Sequence, residues 1–259
     1  MIKGLDKFRA HFEQSRDAFV LIGGVACHEW LASQGLPFRA TKDIDLVLII
    51  EALDRSFTNR LWEFIEAGGY EIREKDGNRE LYRFSKPKDD SYPAMIEIFS
   101  RKPATIELAE EQRVIPVIIN EGSASLSAIL LDDDYYSLII SHRTRGNDLP
   151  LVNPAGLIPL KARAWLDLTR RDKEGQKVDT KDIAKHRADV FRIAATLPGE
   201  PGPKIPDSVR ADLSAFLEAF PPESADWPAI LDSLKTTFGG TKLNPADLIA
   251  AIRTYFVIG

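Results

Sequence analysis

Two aspartates separated by one residue, Asp43 and Asp45, precede the apolar run at residues 46–50. Because successive side chains of a β-strand point to opposite faces, both carboxylates lie on one face of the strand that this run predicts. Neighbouring carboxylates repel each other unless a cation or a proton lies between them, and burying them unpaired is costly. Mg²⁺ prefers oxygen ligands and typically takes one or two carboxylates together with substrate phosphates. The pair therefore predicts a magnesium site, and two such ions about 3.5–4 Å apart would activate an attacking oxygen and stabilise a leaving pyrophosphate.

Gly23 and Gly24 supply the complementary chemistry, because they lie between an apolar run at 19–22 and a predicted helix at 25–33. Glycine lets the backbone approach a phosphate closely, and N–H groups at the start of a helix point at the anion. Alone, a Gly-Gly pair is usually a turn, and an Asp-x-Asp is often a helix cap or the end of a surface strand. The order strand, glycine turn, helix and acidic strand predicts a triphosphate site.

A second charged group is predicted on helices further along the chain. A helix over 180–195 places Asp182, Lys185, His186 and Asp189 on one face, at offsets of three, four and seven residues. This face could pair with Lys161, whose ammonium would reach a triphosphate as a point charge while Asp182 orients it or contacts the acceptor. The alternative is an ordinary charged helix face, in which each such pair contributes about 0.2–0.5 kcal/mol.

The predicted elements change character near residue 150. Strands are predicted at 19–22, 43–50, 70–73, 80–85, 95–99, 114–119 and 125–130, with helices at 4–18, 25–33 and 53–67. The acidic run Asp132-Asp133-Asp134 is interpreted as a hairpin turn. From residue 154 onward only helices are predicted, at 154–169, 180–195, 207–220, 227–238 and 245–255. We therefore expect an α/β (α+β) fold, with a mixed sheet and flanking helices in a catalytic domain over 1–150 and a helical C-terminal domain over 151–259.

Composition limits the class of protein. Of the 259 residues, 44% are apolar and 28% are charged, which permits a packed core. Cys27 is the single cysteine, so a disulfide framework within the chain is excluded. No run approaches 18 uncharged apolar residues and the N-terminus lacks an apolar signal core, so we expect a cytoplasmic protein without a membrane span. The net charge of −5 disfavours nonspecific polyanion binding, yet residues 161–192 carry ten Lys or Arg against six Asp or Glu and could meet phosphates.

The glycine pair and the acidic strand together resemble a known superfamily. The residues that carry the resemblance are Gly23-Gly24, Arg39-x-Thr41 and Asp43-x-Asp45. They resemble the polymerase-β-like nucleotidyltransferases, and more narrowly the AbiEii-like group, which includes toxins of type IV toxin–antitoxin pairs. The resemblance implies a nucleotidyltransferase-type sheet and a magnesium-dependent transfer of a nucleoside monophosphate from a nucleoside triphosphate to an acceptor hydroxyl.

The resemblance also assigns roles to individual residues. Arg39 and Thr41 would shape the nucleotide-binding cleft, while Lys161 matches the motif lysine and Asp182 the motif aspartate of a later helix. Gly24 stands where many superfamily members have serine, so the hydroxyl that such a serine would direct at a phosphate is missing.

Glu97 is the candidate third acid, since the superfamily usually adds one from a neighbouring strand. It lies inside the apolar strand predicted at 95–99, where a charged residue needs a partner. The family role would be that of third metal ligand and general base for the attacking hydroxyl. The alternative is a structural ion pair with an arginine such as Arg83 or Arg101.

Several partners and functions remain open at this point. The basic segment at 161–192 makes tRNA or another RNA a plausible acceptor, and the resemblance adds a cognate antitoxin protein as a partner. A small-molecule acceptor such as an aminoglycoside, or a protein acceptor, would use the same site. The non-enzymatic alternative is a decayed nucleotidyltransferase fold that is retained as a binding module.

Overall fold

The computed structural model describes residues 2–75, 78–101, 114–117 and 126–259. Its strands are β1 Phe19–Ile22, β2 Asp43–Leu48, β3 Glu71–Lys75, β4 Asn78–Ser85, β5 Met95–Arg101, β6 Val114–Val117, β7 Leu126–Leu131, β8 Arg143–Gly146 and β9 Leu149–Val152. Its α-helices are α1 Leu5–His11, α2 Gly23–Ser33, α3 Arg55–Gly68, α4 Asp133–Ser141, α5 Pro154–Lys173, α6 Thr180–Ala194, α7 Asp207–Glu218, α8 Trp227–Phe238 and α9 Pro245–Phe256. Short 3₁₀ helices lie at Glu13–Ala18 and Ile50–Ala52.

All of the described strands belong to one mixed sheet. The main path runs β3-β4-β5-β2-β1-β9-β8, while β7 pairs with β5 and β6 pairs with β7. The pairs β2–β5, β1–β9 and β5–β7 are parallel, and the remaining pairs are antiparallel. The expected mixed sheet with flanking helices is therefore confirmed.

The chain divides into two compact units. The first contains Met1–Ala26 with Ala40–Val152, and the second contains Cys27–Arg39 with Asn153–Gly259. The first unit holds the sheet and the second holds helices α5 to α9. The predicted boundary near residue 150 stays a prediction.

An aromatic cluster forms much of the core of the first unit. Phe8, Phe12, Phe19 and Phe64 are buried, and Phe8 lies with its ring centroid 4.4 to 5.6 Å from those of the other three. These rings bury large apolar areas and also gain from edge-to-face contacts. They fix α1 and α3 to the strand β1, which leads directly to the glycine turn.

The second unit is built around a separate aromatic cluster. The buried ring of Phe191 on α6 has its centroid 5.5 Å from Phe216, 5.7 Å from Phe220 and 4.7 Å from Trp227. Asp179 caps α6 by accepting a hydrogen bond from the N–H of Lys181 at 2.9 Å. The core of this unit therefore holds the C-terminal half of α6 in a fixed position.

The structure departs from the sequence predictions between residues 132 and 152. The acidic run at 132–134 begins α4 instead of forming a hairpin turn, and Asp132 accepts a hydrogen bond from the N–H of Asp134 at 2.9 Å. Acids are favourable at this end of a helix because they satisfy free N–H groups and face the positive end of the helix dipole. The hairpin β8–β9 and the helix α4 itself were not predicted.

No helix within the described ranges is long and apolar enough to cross a membrane.

Candidate functional site

Gly23 and Asp45 lie in direct contact in the first unit. The antiparallel register pairs Ile22 with Asp45, so the residue after Ile22 comes next to this carboxylate. Gly23 has a φ of +65°, which favours glycine, and a methyl group at this position would lie 1.8 Å from Oδ2 of Asp45. No other amino acid fits here without moving the carboxylate. The side chain of Asp45 therefore packs against the first residue of α2.

Gly24 makes a similar close contact with Thr41. A methyl group at Gly24 would lie 2.4 Å from Oγ1 of Thr41 and 3.0 Å from its Cβ. The threonine hydroxyl therefore occupies the space that a side chain at residue 24 would need. A hydroxyl group is present beside this helix start even though residue 24 has none.

The strand register places three acids on one face of the sheet. Asp43 and Asp45 are half-buried and alternate with the fully buried Ile44 and Leu46. Glu97 pairs with Asp45 across the parallel strands β2 and β5, whose spacing is about 4.8 Å. Paired residues of adjacent strands share a face, so the sheet carries Asp43, Asp45 and Glu97 on the same side.

Glu97 is held by an ion pair with Arg83. Arg83 pairs with Glu97 across β4 and β5, and its Nε donates to Oε1 of Glu97 at 2.5 Å. Its Nη2 contacts the same oxygen. The structure thus contains the ion pair that was the alternative interpretation of Glu97, and the other candidate, Arg101, pairs with Glu51.

The acids present fit a two-carboxylate magnesium site. Among the described residues, no three His, Cys, Asp or Glu side chains gather closely enough to hold a metal ion. Asp43 and Asp45 nevertheless provide the oxygen donors on one strand face that Mg²⁺ takes together with phosphates. Close contact between Asp45 and the glycine backbone would bring such phosphates near the N–H groups of α2. In this arrangement Asp43 and Asp45 would be the metal donors, because Glu97 is engaged by Arg83.

The second unit contains a buried acid surrounded by three cations. The side chain of Asp189 on α6 is 0% exposed. Arg39 contacts it twice, through Nε to Oδ1 at 3.2 Å and through Nη2 to Oδ2 at 2.7 Å. Lys161 Nζ lies 3.2 Å from Oδ2, and Arg192 Nη1 donates to Oδ1 at 2.5 Å. We call Arg39, Lys161, Asp189 and Arg192 the Asp189 cluster.

Burial and the charges of the Asp189 cluster together shift the pKa values of Asp189 and His186. Burial raises the pKa of Asp189, but the charges of Lys161, Arg39 and Arg192 outweigh burial and hold the pKa at about 2. Burial, together with the charge of Lys161, lowers the pKa of His186 to about 3. This histidine is therefore neutral near pH 7 and is a poor proton donor there.

Cys27 lies within the electrostatic reach of the same cluster. It is fully buried, and burial raises the pKa of its thiol to about 11 although the charge of Lys161 acts in the opposite direction. Because the thiolate is the nucleophilic form, this thiol is unreactive at neutral pH.

Asp182 and Asp189 on α6 form ion pairs with different lysines. Asp182 is half exposed and lies 3.2 Å from Nζ of Lys185, whereas Asp189 contacts Lys161. The apolar residues that surround Asp189 along the chain, including Val190 and Phe191, were the available signal. A helical charge inside a buried stretch needs a fixed partner, while one near the start of the same helix can remain in solvent.

Much of the basic segment at 161–192 is engaged within the second unit. Arg163 pairs with Asp212, and Arg187 pairs with Asp226. Arg170 pairs with both Asp167 and Glu174. Without the buried Lys161, Asp189 and Arg192, the segment keeps eight Lys or Arg against five Asp or Glu. Its positive excess remains but is partly offset by fixed ion pairs.

The predicted site residues thus form two groups, one in each unit. The first unit brings together Gly23, Gly24, Thr41, Asp43, Asp45 and Glu97. The second unit joins Arg39 and Lys161 through Asp189 and leaves Asp182 with Lys185. No protein-family model matches the chain, and neither a curated protein nor a solved structure matches it significantly. Any assignment of function to this chain therefore depends on the geometry of these residues.

Proposed function

We propose that this protein is a magnesium-dependent nucleotidyltransferase, which moves a nucleoside monophosphate from a nucleoside triphosphate to an acceptor hydroxyl. The observation that carries the proposal is the contact between the carboxylate of Asp45 and Gly23 at the start of α2. An acid packed against a glycine at a helix N-terminus brings a cation ligand and phosphate-binding N–H groups to one place. Asp43 adds a second carboxylate on the same strand face.

The residues of the first unit have separate tasks in this proposal. Asp43 and Asp45 would hold Mg²⁺, which when bound neutralises the triphosphate and the leaving pyrophosphate. The N–H groups that begin α2 would donate to phosphate oxygens, because the glycines allow close approach. The hydroxyl of Thr41 lies beside Gly24 and can donate to the same phosphates. Such transfer depends mainly on positioning and charge stabilisation.

Within the second unit, Arg39 and Lys161 are the cations that we propose to bind phosphate. Arginine binds phosphate through paired N–H donors, whereas lysine acts as a point charge. Asp182 is less suited to support Lys161, since it pairs with Lys185. We retain it as a candidate contact for the acceptor because half of its side chain is exposed.

Glu97 is the candidate general base of the site. Glu97 has the chemistry for this role, yet both of its contacts with Arg83 engage Oε1. It would have to accept a proton from the acceptor hydroxyl while its ion pair is retained or displaced. This ion pair favours a second candidate function, in which the protein binds a magnesium triphosphate without transferring it.

The family, the acceptor and the location form part of the same proposal. The motif of glycines and aspartates supports an AbiEii-like nucleotidyltransferase, which implies a cognate antitoxin protein and a cytoplasmic location. The remaining positive excess at 161–192 supports an RNA acceptor such as tRNA. A protein or a small hydroxylated molecule is the competing acceptor class.

One labelling experiment tests the function and separates the acceptors. The purified chain is incubated with Mg²⁺ and each of the four nucleoside triphosphates labelled at the α-phosphate, together with cell RNA, cell protein or an aminoglycoside. We expect label on one acceptor class with the wild type, and none with Asp45→Ala. Equal labelling by the two proteins would refute the assignment of Asp45. Binding of triphosphate by the wild type without any labelled product would instead support the binding module.

A further inference from the structure

The Asp189 cluster contains more cations than the neutralisation of one carboxylate requires. Arg192 lies one turn further along α6, contacts Oδ1 of Asp189 at 2.5 Å and also donates to the carbonyl oxygen of Ser233 at 2.7 Å. This single arginine already provides a buried ion pair. Placing Arg39 and Lys161 against the same carboxylate requires the desolvation of two further cations, which seldom adds net stability.

The two additional cations come from different segments and meet at one oxygen. Arg39 follows α2, whereas Lys161 belongs to α5, and both contact Oδ2 of Asp189, at 2.7 and 3.2 Å. Their nitrogens therefore lie within about 6 Å of each other, close enough to bind oxygens of one phosphate or of two adjacent phosphates. Two cations at this distance repel each other, so a carboxylate between them is needed to keep them together.

Exposure distinguishes the members of this group. The side chain of Arg39 is 23% exposed, whereas those of Lys161 and Asp189 are 5% and 0% exposed. The ring of Phe38 supports Arg39, whose guanidinium carbon lies 4.8 Å from the ring centroid, and Arg192 lies 5.6 Å from the same centroid. Arg39 is thus held from two sides while part of its surface reaches solvent. Such fixed geometry reduces the entropy that a ligand contact would otherwise lose.

We propose that Asp189 is a positioning residue, which holds Arg39 and Lys161 as a preformed pair of cations that binds a phosphate chain. The identification of the ligand as a phosphate chain rests on the proposed function, whereas the pairing of the cations rests on the contacts above. Asp189 acts through Arg39 and Lys161 and does not itself touch the substrate.

The test is a calorimetric titration of the full-length protein with inorganic tripolyphosphate. We compare the wild type with Asp189→Asn, which keeps the shape of the side chain and removes its charge. We expect Asp189→Asn to weaken binding by about tenfold or more, because Arg39 and Lys161 lose the group that holds them. The matched control is Asp226→Asn, which breaks the 2.6 Å ion pair of Arg187 on the same helix, and we expect it to bind within about twofold of the wild type.

Two further variants separate positioning from folding. Asp189→Glu keeps the charge but moves it by one methylene, and Arg39→Lys keeps the charge but loses the two-pronged contact. Both should weaken tripolyphosphate binding by about threefold or more while circular dichroism reports a folded protein. In an Arg39→Gln background the effect of Asp189→Asn should shrink, because part of that effect passes through Arg39. In the transfer reaction, Asp189→Asn should raise KM for the triphosphate more than it lowers kcat, a split that lost stability alone would not cause.

The outcomes distinguish this inference from the proposed function. If the folded Asp189→Asn, Asp189→Glu and Arg39→Lys variants bind tripolyphosphate as the wild type does, Asp189 has no positioning role even where transfer occurs. If the wild type binds tripolyphosphate through the cluster but transfers no label to any acceptor, the proposed function fails and the positioning role stands. If the wild type does not bind tripolyphosphate, the assignment of a phosphate chain to these cations is wrong.

Discussion

Asp45 and Asp189 are both acids on regular elements of the fold, but they differ in burial and in the groups that contact them. Asp45 is half-buried and packs against the backbone of Gly23, where a larger residue would displace it. Asp189 is fully buried and is contacted by Arg39, Lys161 and Arg192. An acid surrounded by fixed cations is suited to hold those cations. An acid beside a glycine turn at a helix start is suited to share a cation with an incoming phosphate.

The largest effect is expected for the stability of Asp189→Ala. Removing this carboxylate leaves three cations in a buried region without their common partner, which typically costs about 3–5 kcal/mol in free energy of unfolding. Denaturant unfolding at pH 7 measures the change. A loss below about 1 kcal/mol would mean that the cations find other partners or water, and that the two acids differ less than the structure indicates.

The activity of Asp45→Asn is expected to fall by about 10²–10³-fold, as for loss of a group that stabilises developing charge. Its stability should change by less than about 1 kcal/mol, because a half-buried amide can replace the carboxylate against the glycine. The initial rate of label transfer and a thermal unfolding curve provide the two values. Loss of stability without loss of rate would show that Asp45 supports the fold and does not hold the metal ion.

The acid dependence of stability should separate the two regions further. Asp189 has a pKa of about 2 in the folded protein and an ordinary value of 3.8, so its stabilising contribution is present above pH 4. That contribution is about 2 kcal/mol and is lost as the pH falls from about 4 to about 2. Burial also keeps His186 neutral, so this residue lowers the stability of the protein as the pH falls below 6.5. We therefore compare the free energy of unfolding of the wild type with that of Asp189→Asn at each pH. The stability gap between the wild type and Asp189→Asn should narrow by this amount between pH 5 and pH 2, and a constant gap would contradict the depressed pKa.

The contact between Gly24 and Thr41 predicts that substitutions at these two residues have coupled effects on stability. Gly24→Ser places a side chain where the threonine hydroxyl lies 2.4 Å away, so we expect a loss of about 1–3 kcal/mol in free energy of unfolding. Adding Thr41→Ala should recover most of that loss and should return a hydroxyl to the helix start. Thermal unfolding of the two single variants and the double variant measures the coupling. Additive losses would show that the two residues do not compete for one space.

Glu97→Gln is expected to have the smallest effect on activity, below the roughly 10²–10⁴-fold that loss of a general base costs, since Arg83 already holds this carboxylate. Arg83→Gln is the matched variant, because it releases Glu97 without removing it. The rates of label transfer should therefore rank Asp45→Asn well below Glu97→Gln. A loss for Glu97→Gln as large as that for Asp45→Asn would restore Glu97 as a third metal ligand.

Local sequence patterns predicted the elements on either side of the glycine turn and the acidic strand. The apolar run before Gly23, the two glycines and the alternating strand after Asp43 each carry a short-range signal, and β1, α2 and β2 form there. The α4 helix was missed because three consecutive acids are as typical of a turn as of a helix start. The β8–β9 hairpin was missed because Pro150 and neighbouring charges conceal its alternation.

Partner choice could not be predicted with the same reliability. Glu97 had two candidate arginines in the sequence, and the strand register that pairs it with Arg83 depends on how distant segments align. Asp182 and Asp189 both lie on the predicted charged face of α6, seven residues apart. Which of them is buried against Lys161 depends on the packing of α6 in its unit, and this cannot be derived from helical spacing alone.

The central claim is that Asp45 and the glycine turn bind a cation together with a polyphosphate. Electron paramagnetic resonance of Mn²⁺, used in place of Mg²⁺, tests this claim directly when the protein is titrated with and without a nucleoside triphosphate. We predict that bound Mn²⁺ appears with the wild type when triphosphate is present and is strongly reduced in Asp45→Asn. Equal amounts of protein-bound Mn²⁺ in the wild type and in Asp45→Asn, with triphosphate present, would contradict the account.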